Sequence, residues 1–174
     1  HVPHQGVVAH GHGDDLLVRL PSAERYVAQV GKEQRWLPYL APRLPLPIPA
    51  PVAAGRPGAG YPWPWSVYRW IDGTPLAAVA ADLDRLAVDL AAFLAALRAA
   101  DIAGAPAAGA HNFHRGGDLS VSDGETRAAI AALSSAIDAT AATAVWEAAL
   151  STRWQRPPVW VHGDVAAGNL LMRN

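Results

Sequence analysis

Apolar residues along this chain first alternate in short runs and then recur at helical spacing. Gly6-Val7-Val8-Ala9 and Asp15-Leu16-Leu17-Val18-Arg19-Leu20 flank Gly11-His12-Gly13-Asp14, whose residues tolerate positive φ. This predicts a β-hairpin over residues 1–20. After Pro21-Ser22 the period becomes helical. Tyr26, Val30, Leu37 and Leu40 share one face, predicting a helix that opens at Pro21-Ser22, with Ser22 as N-cap, and ends near Leu40. The segment from Pro42 to Pro64 is too rich in proline for helix and predicts extended chain or an edge strand. Within it, Pro45-Leu46-Pro47-Ile48-Pro49 reads as a stiff connection packed on a core. Trp63 to Trp70 alternates large side chains as a strand does, and Ile71-Asp72-Gly73-Thr74-Pro75 breaks it.

Beyond that break the chain turns Ala/Leu-rich. A helix over about residues 82–100 carries Leu83, Leu86, Leu90, Phe93 or Leu94, and Leu97 on one stripe. Ser122-Asp123-Gly124-Glu125 fits a capping box ahead of a helix with Ile130, Leu133 and Ile137 on one side. A further helix, about 143–153, carries Val145, Trp146, Ala149 and Leu150. Pro157-Pro158 then leads into an apolar strand, Val159 to Val161, and a second apolar run follows at Leu170 to Met172. The change from strand to helix patterning places a hinge at residues 70–75. It divides the chain into a β-rich lobe, residues 1–70, and a helical lobe, residues 71–174.

Two polar features interrupt the apolar pattern. Glu33 falls on the apolar stripe of its helix, where an unpaired carboxylate is costly and calls for a cation. Arg19, alone in an otherwise apolar strand, is the nearest upstream candidate. Spacing alone also allows Glu33 to sit at the edge of the stripe and reach solvent. The second feature is the loop His162-Gly163-Asp164-Val165-Ala166-Ala167-Gly168-Asn169 between the two last apolar runs. The spacing His-x-Asp-x-x-x-x-Asn is that of kinase catalytic loops, where the Asp takes the acceptor hydroxyl's proton and the Asn holds Mg²⁺. Its small residues let the backbone turn and leave room for phosphate. A polar loop whose Asp and Asn only cap turns is the alternative.

Composition narrows the classes. A net charge of −1 gives no basic excess for nucleic acid or a membrane surface. Lys32 is the only lysine among 14 basic residues, which reflects coding bias more than function. The absence of cysteine excludes disulfides and thiolate metal sites. No run of 18 apolar residues and no signal pattern occurs, so a cytoplasmic location is expected. His1, His4, His10 and His12 cluster near the start without a metal-ligand spacing and read as exposed loop residues or a tag remnant. Asn112 to Asp118 has the composition of a binding loop but no spacing specific to one ligand. The chain starts at His1 and stops just after Leu170 to Met172, a strand for which no partner is expected. A fragment of a longer protein is the expectation.

Taken in order, Leu17-Val18-Arg19-Leu20-Pro21, Lys32-Glu33-Gln34-Arg35-Trp36-Leu37, Val67-Tyr68-Arg69-Trp70-Ile71-Asp72-Gly73 and His162-Gly163-Asp164 with Asn169 resemble the aminoglycoside phosphotransferases. The resemblance spans essentially the whole chain. It implies an α+β, protein-kinase-like two-lobed fold, truncated after the catalytic loop. It further implies transfer of the γ-phosphoryl group of ATP or GTP, with Mg²⁺, to a hydroxyl of an aminoglycoside-like small molecule, as in antibiotic resistance. Asp164 would be the catalytic carboxylate and Asn169 a Mg²⁺ ligand. Arg19, oriented by Glu33, would hold the phosphates, and the backbone from Arg69 to Ile71 would meet the base. The partners implied are the nucleoside triphosphate and the hydroxyl acceptor, with no nucleic acid and no membrane. The family's strand and loop over the phosphates are missing or reduced to Val2 to Gly6, and its second metal-binding Asp would lie beyond Asn174, so the piece alone is expected to be inactive. The alternatives are a metabolic kinase for an amino alcohol, sugar or amino acid, and a kinase-like binding module without turnover.

Overall fold

The structure, a computed structural model, describes residues 7–12 and 15–173. The first strands are β1 (Val7–His12) and β2 (Leu16–Pro21), an antiparallel hairpin that pairs Ala9 with Arg19 and His12 with Leu16. His12 is therefore the end of a strand and not part of the turn. The remainder of the turn, and the side chains of the four N-terminal histidines, lie outside the described residues. Two further strands, β3 (Pro51–Gly55) and β4 (Trp65–Arg69), complete a sheet of order β1-β2-β4-β3. Strand β3 lies at the edge, where the missing N–H of Pro51 breaks no central ladder, and its register shifts between Pro51 and Ala53. In the β2–β4 ladder Arg19 stands opposite Ser66 and Leu17 opposite Tyr68. Period-2 alternation thus puts Arg19, Ser66 and Tyr68 on the same face.

Helix α1 (Val27–Leu40) packs on that face. It begins later than its sequence suggests. Pro21 still belongs to β2, paired with Val7, so Ser22 and Ala23 are spent reversing the chain. A 3₁₀ turn at Glu24–Tyr26 then precedes the helix, and no side chain caps either. Ser22 is not the N-cap. The buried residues of α1 are Val30, Trp36 and Leu40. Trp36, outside the four-residue stripe, is buried because α1 has a second neighbour. Its last turns join the cluster of Leu40, Phe93 and Leu97, against which Tyr39, Ile48, Leu90 and Trp160 pack.

Phe93 and Leu97 come from α2 (Leu83–Ala99), which Asp82 caps by accepting from the amides of Asp84 and Arg85, both at 3.1 Å. The predicted stripe is right at its centre and wrong at its start: Leu83 is 69% exposed, because the cluster reaches only the later turns. Between β4 and α2, Thr74–Pro75 forms β5, whose antiparallel partner is β6 (Leu171–Met172). The expectation that the last apolar run has no partner is therefore overturned; its partner is a two-residue strand too short to show any alternation. Val159 to Val161, expected as a strand, has no regular structure.

Residues 1–105 with 159–174 form one compact unit and residues 106–158 another. The second unit contains α3 (Asp123–Ala132) and α4 (Ala139–Ser151). Ser122 makes no side-chain cap there. Asp123 instead accepts from Arg127 Nε at 2.8 Å and from Trp146 Nε1 of α4 at 2.7 Å, joining the two helices. Arg127 also reaches Glu147 at 2.7 Å. Leu133 and Ile137, placed on one side of this helix by periodicity, lie past the end of α3 and are exposed. Among the described residues no helix is long and apolar enough to cross a membrane.

Candidate active site

The face shared by β2, β4 and α1 brings Arg19 and Glu33 together. Arg19 Nη1 lies 3.1 Å from Glu33 Oε2, with the two side chains 20% and 15% exposed. Glu33 has two further donors. Gln29 Nε2, one turn earlier on α1, donates to Oε1 at 3.2 Å, and the Tyr68 hydroxyl donates to Oε2. The Arg19 guanidinium also sits over the Tyr68 ring, 5.2 Å from its centroid. Burial pushes the Tyr68 phenol well above its ordinary range, and the Glu33 charge adds to the shift. The phenol therefore stays protonated and remains a donor. Beside it, Gln34 Nε2 donates to Ser66 Oγ at 2.8 Å, which gives a partner to the hydroxyl of a residue that is 1% exposed. Arg19, Tyr26, Gln29, Glu33, Ser66 and Tyr68 line a small recess between helix and sheet.

Arg69 and Ile71 do not line that recess. Arg69 is the exposed last residue of β4; its amide donates to the Ala50 carbonyl at 3.0 Å, and the Trp70 amide donates to the Asp15 carbonyl at 2.8 Å. Ile71 follows directly, half-buried, where the chain leaves the sheet.

In the loop, Gly163 has φ +74°, a left-handed conformation in which most other residues are strained. The motif's polar residues brace Asp164 from both sides. The Asp164 amide donates to His162 Nδ1 at 3.3 Å, and Asn169 Nδ2 donates to the Asp164 carbonyl at 3.0 Å. Both braces act on the backbone, and the Asp164 side chain stands on the exposed surface of the loop. The entry to the loop is fixed by Trp160, whose Nε1 donates to the Asp101 carbonyl at 2.9 Å and whose ring meets Trp36 at 5.0 Å. The exit is fixed by β6, by the Leu76 amide on the Leu170 carbonyl at 2.9 Å, and by Arg173 Nε on the Asp72 carbonyl at 3.0 Å. Gly73 permits this approach: a Cβ there would stand 2.9 Å from Leu171 Cβ.

Magnesium takes oxygen ligands. With Nδ2 engaged by Asp164, Asn169 keeps its Oδ1 for such an ion, and Asp164 offers a carboxylate, so the donor chemistry fits. It is a partial set, since among the described residues no three His, Asp or Glu side chains gather as a metal site.

The sequence reading missed Tyr68, Gln29, Ser66 and Trp36. The signal for Tyr68 was available: alternation phased on Arg19 and its cross-strand partner Ser66 puts Tyr68 on the same face. Nothing in the linear pattern pointed to the Trp36–Trp160 contact, which joins residues far apart in sequence.

The model of the phosphotransferase enzyme family matches residues 7–174. The chain belongs to this family, and its small antiparallel sheet with helices is the protein-kinase-like fold of the aminoglycoside phosphotransferases that its motifs resemble. Among solved structures, the GDP complex of wild-type aminoglycoside 2'-phosphotransferase-IIIa is similar at 27% identity and a TM-score of 0.52. That match covers 59% of this chain and 36% of the other. The GDP and kanamycin complex of APH(2")-IIia matches at 25% identity and a TM-score of 0.48, over 79% of this chain and 47% of the other. The chain thus spans less than half the length of the structures it matches. No curated protein matches significantly.

Proposed function

We propose that this chain carries the phosphate-holding and catalytic residues of a phosphotransferase that moves the γ-phosphoryl group of ATP or GTP to a hydroxyl of an aminoglycoside-like acceptor. The observation that carries the reading is the bracing of Asp164 by His162 and Asn169, in the same compact unit as the Arg19–Glu33 pair. The acceptor class rests on family membership and on the likeness to aminoglycoside 2'-phosphotransferase-IIIa.

In this reading Arg19 holds the nucleotide's phosphates, with Glu33 holding one nitrogen of the guanidinium. The backbone leaving β4 at Arg69 to Ile71 meets the base. Asp164 accepts the acceptor hydroxyl's proton as that oxygen forms its bond to the γ-phosphorus; the bond to the bridging oxygen breaks and the nucleoside diphosphate leaves. Asn169 Oδ1 would hold Mg²⁺, which supplies charge neutralisation at the phosphates. No aspartate follows Asp164 in the sequence, so a second metal carboxylate is assigned to no residue here, and these residues alone are expected not to turn over.

The test is transfer of labelled γ-phosphate from ATP and from GTP to kanamycin by the full-length protein. Asp164→Asn should lower kcat by about 10² to 10⁴, the usual cost of losing a catalytic acid or base. Parental kcat in that variant would remove Asp164 from the mechanism. Transfer to a simple amino alcohol or sugar but not to kanamycin would place the protein among metabolic kinases.

A further inference from the structure

We infer that Tyr68 is a positioning residue for the nucleotide's phosphates, acting on both members of the Arg19–Glu33 pair; the inference rests on the proposed phosphate-holding role of Arg19. The tyrosine is 2% exposed, yet each of its two chemistries is directed at this pair. Its hydroxyl donates to Glu33 Oε2, the same oxygen that takes Arg19 Nη1. Its ring face carries the Arg19 guanidinium, 5.2 Å from the centroid.

The need for such a residue follows from arginine chemistry. An ammonium is compact and can be fixed by one carboxylate, whereas a guanidinium is a planar fork whose function depends on the orientation of its plane. Among the described residues Glu33 touches that fork through one nitrogen only. A single contact fixes a distance and leaves the plane free to rotate; an aromatic face against it removes that freedom. Gln29 and Tyr68 in turn hold the two oxygens of Glu33, so the carboxylate cannot swing with the arginine. The cross-strand register supplies the position, because Tyr68 is the next residue after Ser66 on the face that bears Arg19. Tyr68 thus completes a site in which arginine is pre-oriented, and its loss should appear as weakened nucleotide binding that depends on Arg19.

The test is GDP affinity by titration calorimetry, in the full-length protein, for Tyr68→Phe, Arg19→Met and their double variant, with melting temperatures recorded alongside. Tyr68→Phe should raise the GDP Kd several-fold, and raise KM for nucleotide by a larger factor than it lowers kcat. In the Arg19→Met background the same change should add less than twofold. A purely structural role would lower kcat through lost folded protein and would act equally in both backgrounds. Unchanged Kd in Tyr68→Phe, or an equal effect with and without Arg19, overturns the inference while leaving the Arg19 reading in place. Unchanged Kd in Arg19→Met overturns both. Should Tyr68→Phe not fold, Glu33→Gln, which weakens the acceptor for the same hydroxyl, must raise the GDP Kd; wild-type affinity in that variant overturns the inference equally.

Discussion

Arg19 and Glu33 illustrate how much one side chain's surroundings decide. The pair is four-fifths or more withdrawn from water, and among the described residues Glu33 keeps only Gln29 and Tyr68 if Arg19 is removed. Arg19→Ala should therefore destabilise the chain by about 1.5 to 3 kcal/mol, the usual worth of a charged hydrogen bond. Replacing both residues with apolar ones should recover much of that stability but not nucleotide affinity. Urea unfolding of the single and double variants gives the coupling energy; coupling near zero would make Glu33 a solvated edge residue. At Gly163, φ +74° requires a left-handed backbone, so Gly163→Ala should cost about 1 kcal/mol or more and displace Asp164. Loss of transfer activity with little change in GDP affinity is the expected result, since the strain falls on the loop and not on the sheet.

At the scale of elements, short pieces fix the loop more than long ones do. The β5–β6 pair is only two residues a side, yet it ties the end of the loop to the chain just before α2. Gly73→Ala would put a Cβ 2.9 Å from Leu171 and should open this pair. Amide exchange at Leu76, whose N–H bonds Leu170, should quicken while the four-stranded sheet is unaffected; unchanged protection there would show that β6 is held by other contacts. Helix α1 works at a longer range. It carries Glu33 on one turn and Trp36 on the next, so one rigid element holds both the ion pair and, through Trp160, the entry to the catalytic loop.

Over the whole molecule, the two compact units should respond differently to pH and to nucleotide. In residues 106–158, hydrogen bonds from Trp146 and then Arg127 hold the Asp123 carboxyl below its usual range. A depressed folded pKa means stability that is present above the unfolded value, about 3.9, and lost as pH falls through the folded one. Acidification below about pH 4 should therefore release Trp146 from Asp123, followed by tryptophan fluorescence in single-tryptophan variants; Asp123→Asn should flatten that transition. A GDP concentration of about 100 Kd should stabilise the protein by about 2.7 kcal/mol, and protection on exchange should concentrate around Arg19, Glu33 and Tyr68. The sequence by itself determined the α+β class, most strands and helices, and the residues of the loop, because period, proline content and motif spacing are local properties. It also reached the Arg19–Glu33 pair, since a charge on an apolar stripe demands a partner. Tertiary structure decided where α1 begins, because β2 uses Pro21 and the reversal uses Ser22 and Ala23. It decided that Leu83, Leu133 and Ile137 are exposed, because burial depends on what packs against a face and not on the face's period. And it gave Leu171–Met172 a partner, and Tyr68 its place against both Arg19 and Glu33, because both require residues distant in sequence to meet.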